Sequence, residues 1–449
     1  MAGRAFWRSG QVRTARGAAG VLLLVALWGE AAGRREPRTD ASDEFFTNAP
    51  IPTLRIEIDR TNLAALRRND REYVRATVRD GSTVYTNVGI HNKGAAGSRR
   101  DIDDRPCLTL NFDKFQKGQK FHQLDKIHLN NSVQDPSYIT EILCGEMFRA
   151  AGVPAPRGTH ARVFLNGRDL GLYVLKEGFD KTFLRRYFKQ AHGNLYDGGF
   201  LREITEPLER TSGDSDVPRH SDLKALAAAA EERDTARRLE RLEQVLDVDR
   251  FLSFLAMEMM TWHWDGYALK RNNYRVYHDP ESGQMVFFPH GMDQMFWHPQ
   301  GSLLPEVKGM VAQAVLQTAP GLSRFRQRCT ELFTNQVCRL TNRLEQVCAR
   351  LRPVMAELGT NALVEHDRAV KQLRERMTQR LAYLREDLLS TPPSLVALRV
   401  GDQTALTEWR PGLERGEAKL TEQRAESGSP AWRAELFPGQ TPSVAMWQA

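Results

Sequence analysis

The chain has 449 residues, 41% hydrophobic and 27% charged, which suits a folded, water-facing protein of two or three domains and excludes a fibrous or wholly disordered one. Its net charge of +7 is interspersed with acids and lacks a Lys/Arg block with interleaved aromatics. This argues against a nucleic-acid partner and leaves a mildly basic surface that tolerates anions. The five cysteines contain no CxxC pair, which argues against structural zinc and leaves room for one or two disulfides at most, with buried apolar thiols the simpler reading.

At the N-terminus Arg4, Arg8, Arg13 and Arg16 precede the apolar run Ala18–Trp28, and small residues follow at Ala31, Ala32 and Gly33. This is the pattern of a secretory signal peptide over residues 1–33, with an uncleaved signal anchor as the alternative. It predicts an exported protein (periplasmic, cell-surface or secreted) with no stable membrane span after cleavage. Residues 34–49 are polar and read as a linker.

Residues 50–200 read as a mostly antiparallel α+β lobe. Thr53–Ile58 alternates as a strand, and Thr61–Arg68 suits a helix capped by Asp59 or Thr61. Tyr73–Val78 and Thr83–Ile90 read as strands joined at Asp80–Gly81, and Cys107–Phe112 alternates again. Asp135–Ala151 reads as a helix that starts near Pro136 and stops at Gly152. His160–Leu165 and Gly171–Leu175 form a hairpin around Asn166–Gly167, a dipeptide that favours tight hairpin turns.

Residues 201–221 are polar and read as an exposed connecting loop. Residues 222–391 read as a helical lobe, with helices over Asp222–Glu243 and Asp249–Trp262 and a nearly unbroken helical pattern from Met310 to Ser390. Residues 392–449, rich in Pro, Gly, Glu and Arg, read as a tail or a partial β domain, with short strands near Ser394–Val400 and Trp432–Phe437.

The chemistry concentrates in residues 264–297, WDGYALKRNNYRVYHDPESGQMVFFPHGMDQMFW. Asp265 is followed by Lys270, Asn272 and Asn273, then by a β-like run and a second acid, Asp293, among apolar residues. Carboxylate, amide, strand, carboxylate is an order suited to holding Mg²⁺ and a polyphosphate, with one carboxylate free to orient a hydroxyl nucleophile. An acid in apolar surroundings needs a metal or a partner.

Further pieces lie upstream: GIHNKGAAGSRR (Gly89–Arg100), LDKIHLNNSVQDPSYITEILCGEMFRAAGVPAP, VFLNGRDLGLYVLKEGFD and GNLYDGG. In this order, and together with the Asp265 and Asp293 segments, they resemble the CotH kinase family of spore-coat-H-like atypical protein kinases, in an exported bacterial subgroup. The resemblance runs from about Pro52 to Trp297. It implies a divergent two-lobed protein-kinase-like fold, with an N-terminal β lobe, a C-terminal helical lobe, and ATP and Mg²⁺ between them. The implied reaction transfers phosphate to a Ser/Thr hydroxyl of an envelope or secreted protein.

On that resemblance Asp265 takes the position of the catalytic aspartate. Asn273, with Asn272 as the register alternative, and Asp293 take metal-binding positions. Glu177 faces the nucleotide or anchors a basic side chain. Arg105 stands where the family has Lys, and Lys93 is the other candidate for the phosphates. The interval from Asp265 to Asn273 exceeds that of kinase catalytic loops, so the loop must bulge or the metal geometry must differ. A catalytically weak binding or scaffold protein on the same fold is the alternative function, favoured by Arg105 at the Lys position. A glycan hydroxyl is a third, weaker acceptor.

Overall fold

The computed structural model describes residues 38–47, 49–213 and 220–389, and the strands Ala418–Arg424, Pro430–Leu436 and Met446–Trp447. The expected signal peptide and the strand expected near Ser394–Val400 lie outside the described residues.

The first half closes into a barrel. Its strands are β1 (Thr53–Glu57), β2 (Val74–Asp80), β3 (Thr83–Lys93), β4 (Cys107–Asn111), β5 (Lys126–Asn130), β6 (Gly158–Leu165) and β7 (Arg168–Glu177). They are ordered β1-β2-β3-β4-β5-β7-β6 and run antiparallel except where β1 pairs with β6 in parallel. That one parallel pairing closes the ring, so the expected β lobe is a closed barrel rather than an open sheet. Alternation follows the two-residue pleat. Ile90, Leu108, Leu110, Ile127, Leu129, Tyr173 and Leu175 fill the barrel. Lys93, Cys107, His128, Asn130, Val174 and Lys176 therefore point outward from the same strands.

The helices are α1 (Asp43–Thr47), α2 (Arg60–Arg68), α3 (Thr140–Ala150), α4 (Lys181–Tyr187), α5 (Ser221–Ala230), α6 (Thr235–Val245), α7 (Val248–Met260), α8 (Tyr267–Lys270), α9 (Met310–Leu316), α10 (Ala319–Asn335), α11 (Leu340–Glu357) and α12 (Thr360–Leu389). Helix α7 is buried over most of its surface, as a helix apolar all round must be, and packs with α3 and α9–α12 in the largest core. A second sheet has the order β11-β10-β8-β9, from β8 (Leu195–Asp197), β9 (Glu209–Ser212), β10 (Tyr274–His278) and β11 (Met285–Pro289). Tyr274, Val276, Met285 and Phe287 of its β10–β11 hairpin belong to the α7 core. Tyr277, Val286 and Phe288 pack with Phe183 and Tyr187 of α4. Strands β12 (Ala418–Arg424), β13 (Pro430–Leu436) and β14 (Met446–Trp447) pair antiparallel in a small sheet of their own.

Four expectations change. Within the expected linker 34–49, α1 buries Phe45 and Phe46, while Asp40 and Asp43 pair with Arg157 and Arg186. The helix expected from Asp135 begins at Thr140, because the Asp135 carboxylate accepts hydrogen bonds from the backbone of Ser137 and Thr140 and forms a capping turn. The helix expected over Asp222–Glu243 is two helices, since Asp234 caps a fresh start at α6. The expected exposed loop 201–221 contains β9 and buries Glu203, Ile204 and Leu208. All five cysteines are free thiols, three of them buried.

Candidate active site

The outward face of β3, β4, β5 and β7 carries a row of polar groups through its register. His91, Thr109, His128 and Lys176 are successive cross-strand partners, and Lys93 pairs with Cys107 in the next row. Helix α3 lies against this face and contributes one acid, Glu141. Its Oε1 accepts a hydrogen bond from Lys176 Nζ, and its Oε2 accepts one from Asn130 Nδ2 at 2.5 Å. Asn130 Oδ1 in turn accepts from Lys93 Nζ. One glutamate thus holds one lysine directly and a second through an amide.

Burial opposes ionisation of Glu141, but Lys176 first, then Lys93 and the Asn130 amide, hold it below the ordinary glutamate range. Burial, reinforced by Lys176, holds the Lys93 ammonium below the usual lysine value despite the nearby acids. His128 and His290 are pushed far down by burial and by these cations, so both are neutral imidazoles at pH 7.

Asp293 follows β11 and faces the same cluster. Burial, with repulsion from Glu141 and Asp135, pushes its carboxyl up to about 6, and Lys176 offsets part of that rise. The hydrogen bond it receives comes from its own backbone N–H. Next to it, Asn273 Nδ2 donates to the Asp265 carboxylate at 2.9 Å and to the Asp265 carbonyl at 3.0 Å. Asn273 sits in the left-handed region at φ 49°. The His290 N–H donates to the Asn273 carbonyl at 2.8 Å, and His263 Nε2 lies 3.2 Å from the Gly291 carbonyl. A side chain at Gly291, φ +54°, would place its Cβ 2.4 Å from Asn273 Oδ1. Asp265, Asn273 and the Gly291–Asp293 turn therefore form one continuous wall.

The long interval between Asp265 and Asn273 is occupied by α8. The buried Glu258 carboxylate accepts the N–H groups of Tyr267 and Ala268, each at 2.9 Å, and so anchors the start of that turn. Below it, Arg380 of α12 is fully buried and donates to the carbonyls of Met259 (2.6 Å), Met260 (3.0 Å), Pro299 (3.1 Å) and Gly301. It ties the end of α7, which leads into Asp265, to the segment after Asp293.

Of the residues singled out in the sequence, Lys93, Asp265, Asn273 and Asp293 lie on this cleft. Asn272 is buried beside Asn273, with its N–H on the Gly266 carbonyl at 3.3 Å, and it is Asn273 whose amide reaches Asp265. Glu177 is turned away from the cluster and takes the second of its two expected roles, anchoring a basic side chain. It pairs with Arg157 (Nη2 to Oε1 2.6 Å), with both side chains at most 5% exposed. Arg105 is also elsewhere: its Nη2 donates to Tyr138 Oη (2.7 Å) and the Leu172 carbonyl (2.6 Å), and none of its hydrogen bonds reaches the Glu141 cluster. Sequence reasoning missed Lys176 and Glu141, and it reads Asn130 as a strand-end or turn residue, with a nucleotide contact as the lesser alternative. Charges inside the otherwise apolar stretches YVLKEG and TEILCGEMF were the available signal.

These residues suit Mg²⁺ with a polyphosphate. Among the described residues no other residue donates a hydrogen bond to the Asp293 carboxylate, and Asn273, its amide nitrogen taken by Asp265, keeps Oδ1 as an acceptor. Among the described residues no group of three or more His, Cys, Asp or Glu is arranged around a metal position. Mg²⁺ takes only one or two carboxylates from a protein when phosphates and water complete its shell.

A barrel bearing Lys93 and Lys176 and a helical body bearing the acids define an α+β protein whose two parts meet at this cluster. The model of the CotH kinase protein family matches residues 90–392, and the chain belongs to that family. It is 27% identical over 266 residues to Invasin CotH2 and 25% identical over 351 residues to Invasin CotH3, both of Rhizopus delemar, covering 50% and 68% of this chain. It is 26% identical over 192 residues, 40% of this chain, to the inner spore coat protein H of Bacillus subtilis. It spans 44%, 57% and 52% of the lengths of these three relatives. Among solved structures it is similar to the HipA–HipB–operator DNA complex of Shewanella oneidensis (TM-score 0.34, 14% identity, 77% of this chain and 76% of that one). It is also similar to the proinflammatory kinase CtkA of Helicobacter pylori (TM-score 0.30, 11% identity, 68% and 99%). The relatives' names are those of coat and invasin proteins, and no described helix is long and apolar enough to cross a membrane.

Proposed function

We propose that this protein is an exported phosphotransferase of a two-lobed, kinase-like kind, moving the γ-phosphate of ATP to a Ser/Thr hydroxyl of an envelope or secreted protein. The observation that carries the reading is the convergence on one cleft of the Lys93–Asn130–Glu141–Lys176 chain, the weakly held carboxylate of Asp293 and the Asp265–Asn273 pair.

In this reading Lys93 and Lys176 hold the phosphates, and Glu141 keeps the lysines in place. Asp293 and Asn273 Oδ1 would hold Mg²⁺, which supplies charge neutralisation at the phosphate oxygens. Asp265, steadied by the Asn273 amide, orients the acceptor hydroxyl and takes its proton as the oxygen attacks the γ-phosphorus and the bond to the bridging oxygen of the departing ADP breaks. Arg105 weighed toward a scaffold only as a replacement for a missing lysine. With Lys93 and Lys176 both at the cluster, the phosphates do not need Arg105.

The test is Mg²⁺-dependent ATP binding and phosphate incorporation by the purified protein, wild type against Asp293→Ala. Both should collapse in the variant. Well-folded wild-type protein that binds no nucleotide would leave the binding-protein reading instead.

A further inference from the structure

We propose a second ligand site, separate from the cleft, that takes a small organic anion with a carboxylate or phosphate head and an apolar body. It is a cavity of about 510 Å³ beside the barrel, walled by the 132–138 turn, the start of β7, and helices α11 and α12. A volume of this size lies in the range of small-molecule sites.

The head group is specified by Arg105, which lines the cavity. Its guanidinium is fixed before any ligand arrives. Tyr138 Oη and the Leu172 carbonyl accept from Nη2, and the Tyr138 and Tyr173 rings flank it at 5.8 and 5.3 Å. Among the described residues no carboxylate pairs with it. Asp169, on the same wall, is taken by Arg162 at 2.7 Å, and Glu365 sits exposed at the rim. The enclosed Nε makes no well-formed hydrogen bond, and the nearby Tyr173 hydroxyl interacts with the guanidinium as a neutral group rather than as a counter-charge. A cation taken out of water without a counter-charge is costly, and a planar guanidinium with an unused donor is shaped for carboxylate or phosphate.

The body is specified by the rest of the lining. Leu170, Leu172, Met355, Leu358 and Ala362 supply an apolar lining. His366 closes that side as a fully buried ring whose pKa burial lowers, so it adds no competing charge at neutral pH. Two turn residues of the wall, Ser132 (φ 54°) and Tyr138 (φ 61°), hold left-handed backbone conformations that non-glycine residues adopt at a cost. Such strain gathers at ligand sites. This site is independent of phosphoryl transfer, and Arg105 shares no hydrogen bond with the Lys93–Glu141 cluster.

The test is calorimetric titration of the full chain with sodium octanoate, octyl phosphate, octylamine and octan-1-ol, repeated in the presence of ATP. We expect saturable binding of octanoate, of octyl phosphate or of both, with the amine and the alcohol at least tenfold weaker. Binding of one alone identifies the head group as carboxylate or as phosphate. Arg105→Gln removes the charge, and Ala362→Trp fills the apolar side without touching it. Each should weaken binding tenfold or more, and should Arg105→Gln fail to fold, Ala362→Trp decides. Absence of saturable binding to folded wild type, or binding that Ala362→Trp leaves unchanged, overturns the proposal. So does displacement by ATP together with loss of ATP binding in Arg105→Gln, which would make this cavity the nucleotide cleft.

Discussion

Glu141 of α3 and Lys176 of β7 meet as an ion pair with 3% and 2% of their side chains exposed. The pair joins the barrel to the helical body at one point, and neither partner has water to fall back on. Removing one partner of such a pair leaves an uncompensated buried charge, which costs about 3–5 kcal/mol. Lys176→Met alone should therefore lower the urea midpoint markedly, whereas Lys176→Met with Glu141→Leu should recover much of the loss. Both proteins should bind Mg²⁺-ATP at least tenfold more weakly than wild type, because one of the two phosphate-facing cations is gone from each. Wild-type ATP affinity in the stabilised double variant would make the pair a structural device only.

Asp293 gives a pH signature. Its folded-state carboxyl titrates at about 6, against an ordinary aspartate value of 3.8, because burial and the neighbouring acids disfavour its charge. A raised folded pKa means that this group's stabilising contribution is full below 3.8 and is lost as pH rises through about 6. Asp293→Asn cannot undergo that loss. Its melting temperature should gain on wild type between pH 5 and pH 8, while Mg²⁺-dependent ATP binding disappears. Parallel melting curves across that range would mean that Asp293 is not strained in the folded state.

Much of this arrangement was legible in the sequence. The alternation Leu54, Ile56, Ile58 and the Asn166–Gly167 turn are local signals, and strands and a hairpin stand where they point. Asp265 and Asp293 were visible because an acid beside Trp or among Phe and Met is conspicuous. What could not be read is the pairing of β1 with β6, since a parallel closure between strands about a hundred residues apart leaves no local trace. For the same reason Lys176 drew no notice. Its role depends on Glu141, 35 residues earlier and on another element. The Arg105 reading followed the chain register of a family motif, while in space its guanidinium turns toward Tyr138 rather than toward the cleft.

Gly291 is expected to be irreplaceable for activity rather than for folding. Its φ of +54° suits glycine, so alanine there costs about 1 kcal/mol from backbone strain. The added Cβ would also stand 2.4 Å from Asn273 Oδ1, so that amide must move from its place against Asp265. Gly291→Ala should lose phosphate incorporation tenfold or more and shift the Mg²⁺ dependence to higher concentration, with only a modest drop in melting temperature. An unchanged Mg²⁺ dependence would count against Asn273 as a ligand.

Glu177 should behave in the opposite way. Its carboxylate accepts three hydrogen bonds from Arg157, at 2.6, 3.1 and 3.2 Å, and the same guanidinium reaches Asp43 at 2.8 Å and Asp40 at 3.4 Å. Burial opposes the charges of Asp40 and Asp43. Hydrogen bonds from Ser42 to the first and from Arg186 to the second, with the pull of Arg157 and Arg186 on both, outweigh it and hold the two carboxyls below the ordinary value of 3.8. Their contribution is therefore present above pH 3.8 and lost only as pH falls through the lowered values. Glu177→Ala should cost stability toward the lower end of about 3–5 kcal/mol, since the two aspartates still face Arg157. It should also make the protein more sensitive to acid, because those aspartates become the remaining counter-charges. ATP affinity of the folded protein should stay at the wild-type level. A loss of ATP affinity larger than the loss of folded protein would put Glu177 back at the nucleotide.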